Sequence, residues 1–282
     1  MDAVAAWAYT AEIKLNADKT EIISIGRTAV EKLRIGENEI EPKRFLKYLG
    51  VIIDDRLKWR EHIDHLSAKT DRLLLRVIPT CWARGILKVR DKLRLYRQVF
   101  LPMMLYGHEI WFEEIKSKST YIDRVIRLQR RVLRAIAGAY RNVNTDKLLE
   151  LTNELPIDEE LGILNETKAL SQPERRAKRV KMRKLLLSER QQYYDLSENF
   201  EIGQTRRRES IWCLTETGPF RKFLTKIGQE DDEACRLCGI SAETAQHLLF
   251  ECEFSSFRLP NSYSTFDFER SSIRLVNYMR RL

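Results

Sequence analysis

Three cysteines and one histidine lie close together near the end of the chain, in the pattern C-x2-C-x8-H-x4-C. Zinc takes four thiolate and imidazole ligands in closed tetrahedral sites, and two cysteines separated by two residues can share one ion from a tight turn. The pattern therefore predicts a structural zinc site in a small C-terminal module. The alternative is three core thiols and an incidental histidine. The predicted ligands are Cys235, Cys238, His247 and Cys252.

The residues between these ligands fit a metal-binding turn followed by a helix. Gly239 follows the second cysteine and can take the positive φ that such a turn often needs. Ser241 is the predicted N-cap of a helix over AETAQHLLF (242–250) that carries His247 inward. Cys81 and Cys213 have no ligand-spaced partners, whereas His62 and His65 lie three residues apart with Asp64 between them and could be a metal pair or surface histidines. We expect buried thiols at Cys81 and Cys213 and surface histidines at His62 and His65.

The chain carries a formal charge of +9 over 282 residues, with 43% apolar and 32% charged residues. This composition supports a folded core and indicates polyanionic partners, because Lys and Arg gain affinity by releasing counterions from phosphates. An anionic membrane surface or an ordinary basic surface would also fit the charge. The first residues lack the basic start of a signal peptide, and no apolar run is long enough to span a bilayer. We therefore expect an intracellular protein of the nucleus and cytoplasm, neither secreted nor in a membrane.

Hydrophobic periodicity divides the chain into a mixed N-terminal part and a helical remainder. A predicted helix at 3–13 precedes strand-like runs at 21–26, 30–36 and 44–54, the last being one strand or two interrupted at Gly50. After residue 59 the apolar residues follow a 3.6-residue repeat through three long helices. Pro102 should kink or end the second helix, and Gly138 should end the third. A further helix is predicted to start near Thr145 and to stop before residue 156.

Two basic segments follow these helices. The stretch PERRAKRVKMRKLLLSER (173–190) carries eight positive side chains against two negative ones, and is read as a basic linker or helix. It is either a solvated charged face or a segment that follows a phosphate chain. The second segment, RRR at 206–208, lies near Trp212, Phe220 and Phe223, which either stack on bases or form the core of the module. Predicted phosphate contacts here are Arg175, Arg176, Arg179, Arg206, Arg207 and Arg208.

Four stretches occur in an order that resembles the downstream half of reverse transcriptases from non-LTR retrotransposons. They are LNADKTE (15–21), FLKYLGVIIDDRLKW (45–59), YRQVFLPMMLYGHEIWF (96–112) and LQRRVLRAIAGAYRNVNTDKLLEL (128–151). The Cys/His pattern is also similar to the motif that closes many arthropod elements of this group. The resemblance covers roughly residues 5 to 255 and depends on the order of the stretches, since no single one is highly specific.

The resemblance implies a role for each stretch. Lys19 matches a lysine placed near the incoming nucleotide, and FLKYLG matches the primer-grip hairpin, with Lys47, Tyr48 and Gly50 at the nucleic acid. The helices from Trp59 to about residue 164 match the thumb, which holds the template–primer duplex through its backbone. RNA or DNA is therefore the implied partner, and no protein partner is indicated. On the thumb the implied contacts are Arg127, Arg130, Arg131 and Arg134.

The catalytic part of such polymerases has no match in this sequence. A Tyr-x-Asp-Asp type turn that holds two metal ions would lie upstream of LNADKTE, where fourteen residues stand without an acidic pair. Asp54 and Asp55 follow the hairpin, at a place where the family tends to carry a non-catalytic acidic residue. We therefore expect no polymerase activity from this chain alone, and magnesium only in a complete polymerase. Asp267 and Glu269 are isolated acidic residues, and the tail is expected to form a closing helix.

These observations predict an α+β fold that is mostly α. A small palm-remnant β-hairpin region (1–58) precedes a helical thumb bundle (59–165), a basic linker or helix (166–205) and a small zinc-knuckle module (206–282). The function implied is nucleic-acid binding by the C-terminal part of a non-LTR retrotransposon reverse transcriptase. Two alternatives stay open: a domesticated or inert zinc-stabilised scaffold that contacts proteins, and a segment of an intact reverse transcriptase.

Overall fold

The computed structural model describes residues 2–26, 32–35, 38–76, 79, 88–190 and 208–282. The chain divides into two compact units. The first consists of Met1–Lys69 with Tyr106–Arg124, and the second of Thr70–Leu105 with Val125–Leu282. Helices make up most of the second unit, and all the described strands lie in the first, where they form only two-stranded sheets; this confirms the α+β, mostly α fold class. The proposed four-part division of the chain stays a prediction.

The strands lie in the N-terminal part of the chain. The first pairs with the fourth in parallel, the second with the third and the fifth with the sixth antiparallel. The last pair forms a hairpin whose turn residues Leu49 and Gly50 have φ of 45° and 91°. Two positive φ angles are typical of the turn that matches the twist of a hairpin, so the run at 44–54 is two strands. The strands are β1 (Ile22–Ile23), β2 (Leu33–Ile35), β3 (Asn38–Ile40), β4 (Pro42–Lys43), β5 (Phe45–Tyr48) and β6 (Val51–Asp54).

Twelve α-helices are described, together with a 3₁₀ turn at Ala17–Lys19 and two π-helical segments, Tyr96–Phe100 and His247–Glu251. The last of the helices, at the C-terminal end, begins with a capping box formed by Ser264 and Asp267 and confirms the expected closing helix. The helices are α1 (Asp2–Thr10), α2 (Arg60–Arg76), α3 (Val89–Leu95), α4 (Leu101–Leu105), α5 (His108–Lys116), α6 (Ser119–Ala137), α7 (Thr145–Thr152), α8 (Ile157–Glu166), α9 (Gln172–Arg190), α10 (Arg208–Leu214), α11 (Arg221–Lys226) and α12 (Thr265–Met279).

Pro102 lies inside a helical path that it does not end. The π-helical segment comes directly before it, and the N–H of Leu101 donates to the Tyr96 carbonyl five residues back. This wider turn shifts the hydrogen-bond register just upstream of the proline, which has no N–H to offer. The path therefore ends at Leu105, beyond Pro102. The predicted end of the third long helix is confirmed, because α6 stops at Ala137 and Gly138 has φ of 69°.

The first unit packs around Trp59 and Trp111, both nearly inaccessible to solvent. Asp54 lies just before α2, and its carboxylate accepts hydrogen bonds from the N–H groups of residues 56, 58 and 59. This buried carboxylate therefore fixes the turn into α2. His62 is also buried, at 1% exposure, and its Nδ1 lies 3.3 Å from the Ile52 N–H that donates to it. The prediction of a surface histidine at His62 is wrong, because two tryptophan rings and a strand amide enclose the imidazole.

Burial acts directly on the titration of this imidazole. Desolvation, together with the smaller effects of the charges of His65 and Lys69, lowers the pKa of His62 to about 4. The ring is therefore neutral at physiological pH, and its Nδ1 can accept a hydrogen bond from the Ile52 N–H. The sequence of an amphipathic helix predicts a surface position for this histidine. It is buried because the strand that contains Ile52 packs against it.

The helical part of the second unit contains a buried polar network. Glu154 is 1% exposed, and its two carboxylate oxygens lie 2.6 Å from Arg97 Nε and 2.8 Å from an Arg183 nitrogen. Arg183 also pairs with Glu160. Burial raises the pKa of Glu154, while the two arginines act in the opposite direction. Since Arg183 belongs to α9, this network fixes the basic helix to Glu154 in the connection between α7 and α8 and to Glu160 on α8.

Candidate metal centre and basic surfaces

The four predicted ligands come together in the second unit. One ligand atom from each of Cys235, Cys238, His247 and Cys252 lies within 4.8 Å of all the others. The Cys238 Sγ is 3.4 Å from His247 Nε2, the separation expected of two atoms that share a tetrahedral ion at about 2.0–2.3 Å. Three of the four residues are buried. Among the described residues, this cluster can therefore hold a metal ion with three sulfur ligands and one nitrogen.

The first two cysteines lie on a tight turn that exposes backbone N–H groups to sulfur. Gly239 has φ of 70°, as the sequence predicted, and its N–H donates to the Cys235 carbonyl at 2.7 Å. Amide groups of residues 241 and 240 lower the pKa of Cys238 to about 6, whereas burial raises the pKa of Cys235 to about 11. The turn thus stabilises a thiolate at Cys238 before any ion is bound. Binding an ion would remove the proton from both.

His247 begins a π-helical turn, and its helix starts later than predicted. The prediction of Ser241 as N-cap is wrong, because the Ser241 carbonyl accepts a hydrogen bond from the Cys235 N–H and so belongs to the preceding turn. Thr244 takes the capping role instead, with its Oγ1 accepting from the His247 N–H at 2.9 Å. The turn closes where the Cys252 N–H donates to the His247 carbonyl at 2.7 Å. His247 Nδ1 lies 3.5 Å from a carboxylate oxygen of Glu251, which can orient the ring.

Two glutamates that the sequence analysis missed hold the cluster in place. Glu243 is fully buried and accepts hydrogen bonds from the Arg236 guanidinium and from the N–H groups of Arg236 and Arg221. Because Arg236 lies between the first two cysteines, this pair fixes the turn that carries them. Glu216 accepts from the N–H groups of Ala245 and Gln246, at the start of the helix that carries His247. An arginine inside a C-x2-C turn and a single glutamate within an otherwise uncharged stretch were the available signals.

The aromatic residues near RRR belong to the core of the module. Trp212, Phe220 and Phe223 are at most 7% exposed. The indole N–H of Trp212 donates to the Gly138 carbonyl at 3.0 Å, and Tyr140 packs on the same ring at 4.7 Å between centroids. These rings are therefore not available for stacking on bases, and of the two readings the core one is confirmed.

The arginines of α6 differ in their surroundings. Arg130 donates to the carbonyls of Arg141 and Val143, both at 2.8 Å, and so supports the loop after the helix. Arg131 pairs with Asp71. Burial lowers the pKa of Arg134, and three neighbouring arginines lower it further. Arg127 is exposed. Contact of these four residues with nucleic acid stays a prediction.

The helix α9 separates its basic residues into two sets. The inward set makes contacts within the bundle: Arg175 donates to the Lys168 and Leu170 carbonyls, Arg179 to Thr167 Oγ1, and Arg183 to Glu154. The outward set is exposed, and the described part of the chain shows no ion pair for it. Of the second basic segment, Arg208 is exposed at the start of α10, while Arg206 and Arg207 lie outside the described residues, as does Cys81. The outward set is Arg176, Lys178, Lys181 and Lys184.

The remaining predicted contacts lie in the first unit. Lys47 and Tyr48 are exposed on β5, and Tyr48 retains 62% of its surface. Gly50 packs under Tyr106, whose ring carbon would lie 3.3 Å from an added Cβ and whose hydroxyl donates to the Leu49 carbonyl at 2.7 Å. Lys19 is exposed at the end of the 3₁₀ turn. The roles of these residues stay predictions. Cys213 is buried, as expected, and no helix among the described residues is both long and apolar enough to cross a membrane.

Comparison with known proteins finds relatives over most of the chain. The polyprotein of the type-1 retrotransposable element R1 from Bradysia coprophila is 29% identical over 87% of this chain and 28% of its own length. The probable RNA-directed DNA polymerase of the Drosophila melanogaster X-element is 29% identical over 51% of the chain and 16% of its own length. The jockey RNA-directed DNA polymerase from the same fly is 25% identical over 49% and 15%.

No family model matches the chain, and no solved structure matches it. The chain spans less than a third of these three relatives, although it spans 70% of a further R1 polyprotein, from Nasonia vitripennis, that is 22% identical. These matches confirm the resemblance that the ordered stretches predicted. The chain is therefore related to the polyproteins and RNA-directed DNA polymerases of arthropod non-LTR retrotransposons and corresponds to part of their length.

Proposed function

We propose that this chain binds the sugar–phosphate backbone of RNA or DNA as part of a retrotransposon reverse transcriptase. The observation that carries the proposal is the division of α9, where the outward set of four cations is exposed while the inward set is tied to the bundle. Cations held on a rigid helix can contact successive phosphates without reading sequence. The formal charge of +9 favours the same partner, and so do the relatives that are RNA-directed DNA polymerases.

The Cys/His cluster is proposed to hold zinc. Three sulfur atoms and one imidazole nitrogen form a donor set that zinc favours over hard cations such as magnesium. The ion would crosslink the turn at Cys235 to the helix at His247 and so stabilise the module, because all four positions are occupied by protein ligands. Its contribution is folding free energy, not chemistry.

A salt titration tests the binding proposal. Fluorescence anisotropy measures the affinity of the purified chain for a single-stranded RNA and for a DNA duplex between low and moderate salt. We expect the logarithm of the affinity to fall linearly with the logarithm of salt concentration, with a slope of roughly 0.7 per contacted phosphate on the single strand. Replacing the outward set by glutamine should reduce that slope by up to about 2.8, since four contacts are removed.

A matched variant separates a binding surface from net charge. Lys32, Lys43, Lys116 and Lys118 are all paired with glutamates, and replacing them by glutamine changes the charge of the chain by the same amount. We expect this variant to keep most of the affinity and most of the slope. Equal losses in both variants would count against the proposed surface. No binding by the unaltered chain even at low salt would instead support a zinc-stabilised scaffold that contacts proteins.

A further inference from the structure

The second unit contains a cavity of about 290 Å³ beside the Cys/His module. One wall is the loop before α7 and its first turn, where Asn144 caps the helix. The opposite wall is the segment from Thr215 to α11, and Phe220 and Phe223 supply apolar surface. The size is close to the lower end of the range for small-molecule sites.

Three lysines line this cavity, one from α7 and two from α11. Lys147 is half-buried, whereas Lys222 and Lys226 are exposed at the mouth. Burial lowers the pKa of Lys147, the charges of Glu216 and Glu150 act in the opposite direction, and the charge of Lys226 lowers it. Because all three lysines line one cavity, an anion bound there would be attracted by each of them. The positive end of the α7 dipole lies at the same wall.

The two carboxylates that line the cavity are already engaged. Glu243 is paired with the Arg236 guanidinium and accepts two backbone N–H groups. Both oxygens of Glu216 accept backbone N–H groups, at 2.8 and 2.9 Å. Burial raises the pKa of Glu216, and the charges of Lys147 and Lys222 act in the opposite direction, so Glu216 offsets part of the lysine charge. With Glu243 paired to Arg236, three lysines face the single charge of Glu216, so positive charge is in excess and the cavity favours an anion.

We propose that this cavity binds a phosphate monoester, with Lys222 and Lys226 as its direct contacts and Lys147 at the inner end. A monoester carries between about 1.5 and 2 negative charges at neutral pH, more than the single charge of a backbone diester, so it gains more from three cations. Two sources share this chemistry: the phosphorylated end of a nucleic-acid strand, and a free nucleotide. The first source rests on the proposed function, and the second does not.

The test compares two short single-stranded RNAs that differ only in a 5′-phosphate or a 5′-hydroxyl. Affinities of the full metal-loaded chain are measured at one salt concentration, and AMP and adenosine are titrated separately by calorimetry. We expect the phosphorylated strand to bind about fivefold more tightly, as suits two partly exposed ion pairs. The double variant Lys222→Gln, Lys226→Gln should lose this preference and keep the affinity for the hydroxyl strand within about twofold, because few phosphates are contacted there.

The control is the double variant Lys178→Gln, Lys181→Gln on α9. It should weaken both strands alike and leave the ratio unchanged, because those lysines are not at the cavity. Binding of AMP but not adenosine, lost in the cavity variant, would support the site with a nucleotide as ligand even if neither strand end is preferred. An equal affinity for both strands together with no binding of AMP would overturn the proposal. So would a preference that survives in the cavity variant. Binding of the hydroxyl strand reports separately on the proposed function.

Discussion

Replacement of Glu243 by alanine should weaken metal binding strongly, although Glu243 is not a ligand. The carboxylate is fully buried, and the Arg236 side chain that it pairs with is 14% exposed. Its Oε1 also accepts a hydrogen bond from the Arg221 N–H, with 3.0 Å between the oxygen and the nitrogen. In the alanine variant the guanidinium and the amide groups lose their acceptor while they stay inside the fold. Removing one partner of a buried ion pair costs about 3–5 kcal/mol.

The lower end of that range suits this site. Arg236 keeps one hydrogen bond, to the Pro219 carbonyl at 2.7 Å, and a small part of its surface reaches water. A loss of about 3 kcal/mol, if it falls on the metal-bound fold, corresponds to roughly a hundredfold weaker metal binding. This agrees with the roughly 10- to 100-fold losses found when residues that orient metal ligands are removed. Glu243→Gln keeps an oxygen acceptor but not the charge, so about tenfold is expected.

Cobalt provides the readout, because thiolate-bound Co²⁺ absorbs in the visible and near-ultraviolet and zinc displaces it. Each variant is titrated with Co²⁺ and then back-titrated with Zn²⁺, which gives both affinities. Asp231→Ala is the matched control, since Asp231 is an exposed acidic residue of the same module. It should bind both ions as the unaltered chain does. A Glu243→Ala protein with cobalt affinity within about twofold of the control would refute the argument that the buried pair holds the turn.

Four further outcomes are expected. The free energy of unfolding in urea should fall as the pH drops from about 6.5 towards 4, because the unfolded chain binds a proton at His62 before the folded one does. The expected loss is about 2 kcal/mol at pH 5, and His62→Gln should not show it. Glu154→Ala should lower the free energy of unfolding by about 3 kcal/mol, since two arginines lose a buried partner; an unchanged midpoint would contradict this. Gly107→Ala should cost about 2 kcal/mol, because φ is 66° and a Cβ would lie 2.7 Å from a valine methyl, whereas Gly162→Ala, in open space on α8, should be neutral or stabilising by thermal melting. Cys235→Ser should unfold the C-terminal module and leave the earlier helices intact, as proteolysis and circular dichroism would reveal.

The sequence predicted the parts of the fold that depend on local patterns. Apolar spacing located the long helices, and Gly50 and Gly138 marked a turn and a helix end because their backbone needs positive φ. The metal cluster was predictable for a similar reason, since the spacing of the four ligands limits how the chain can close around one ion. These features lie in short stretches, so one stretch contains the information for each.

Features that depend on packing between distant stretches were not predictable. His62 lies on a polar-looking helix, and only the strand at Ile52 and two tryptophans make its site dry. The basic residues of α9 look alike in the sequence, yet Arg179 and Arg183 face the bundle because Thr167 and Glu154 accept their hydrogen bonds. Which of these side chains face the bundle is therefore determined by hydrogen-bond partners many residues away in the sequence.

The wide turn that begins at His247 ties the spacing of two ligands to the type of helix between them. An ordinary α-helix rotates by about 100° per residue, so side chains four apart differ in direction by about 40° and those six apart by about 120°. If one residue between His247 and Cys252 were deleted, the segment could form a regular α-helical turn, and the imidazole and the sulfur would still point to the same side. Gaining one would point the sulfur away from the imidazole, so this segment should tolerate deletion far better than insertion.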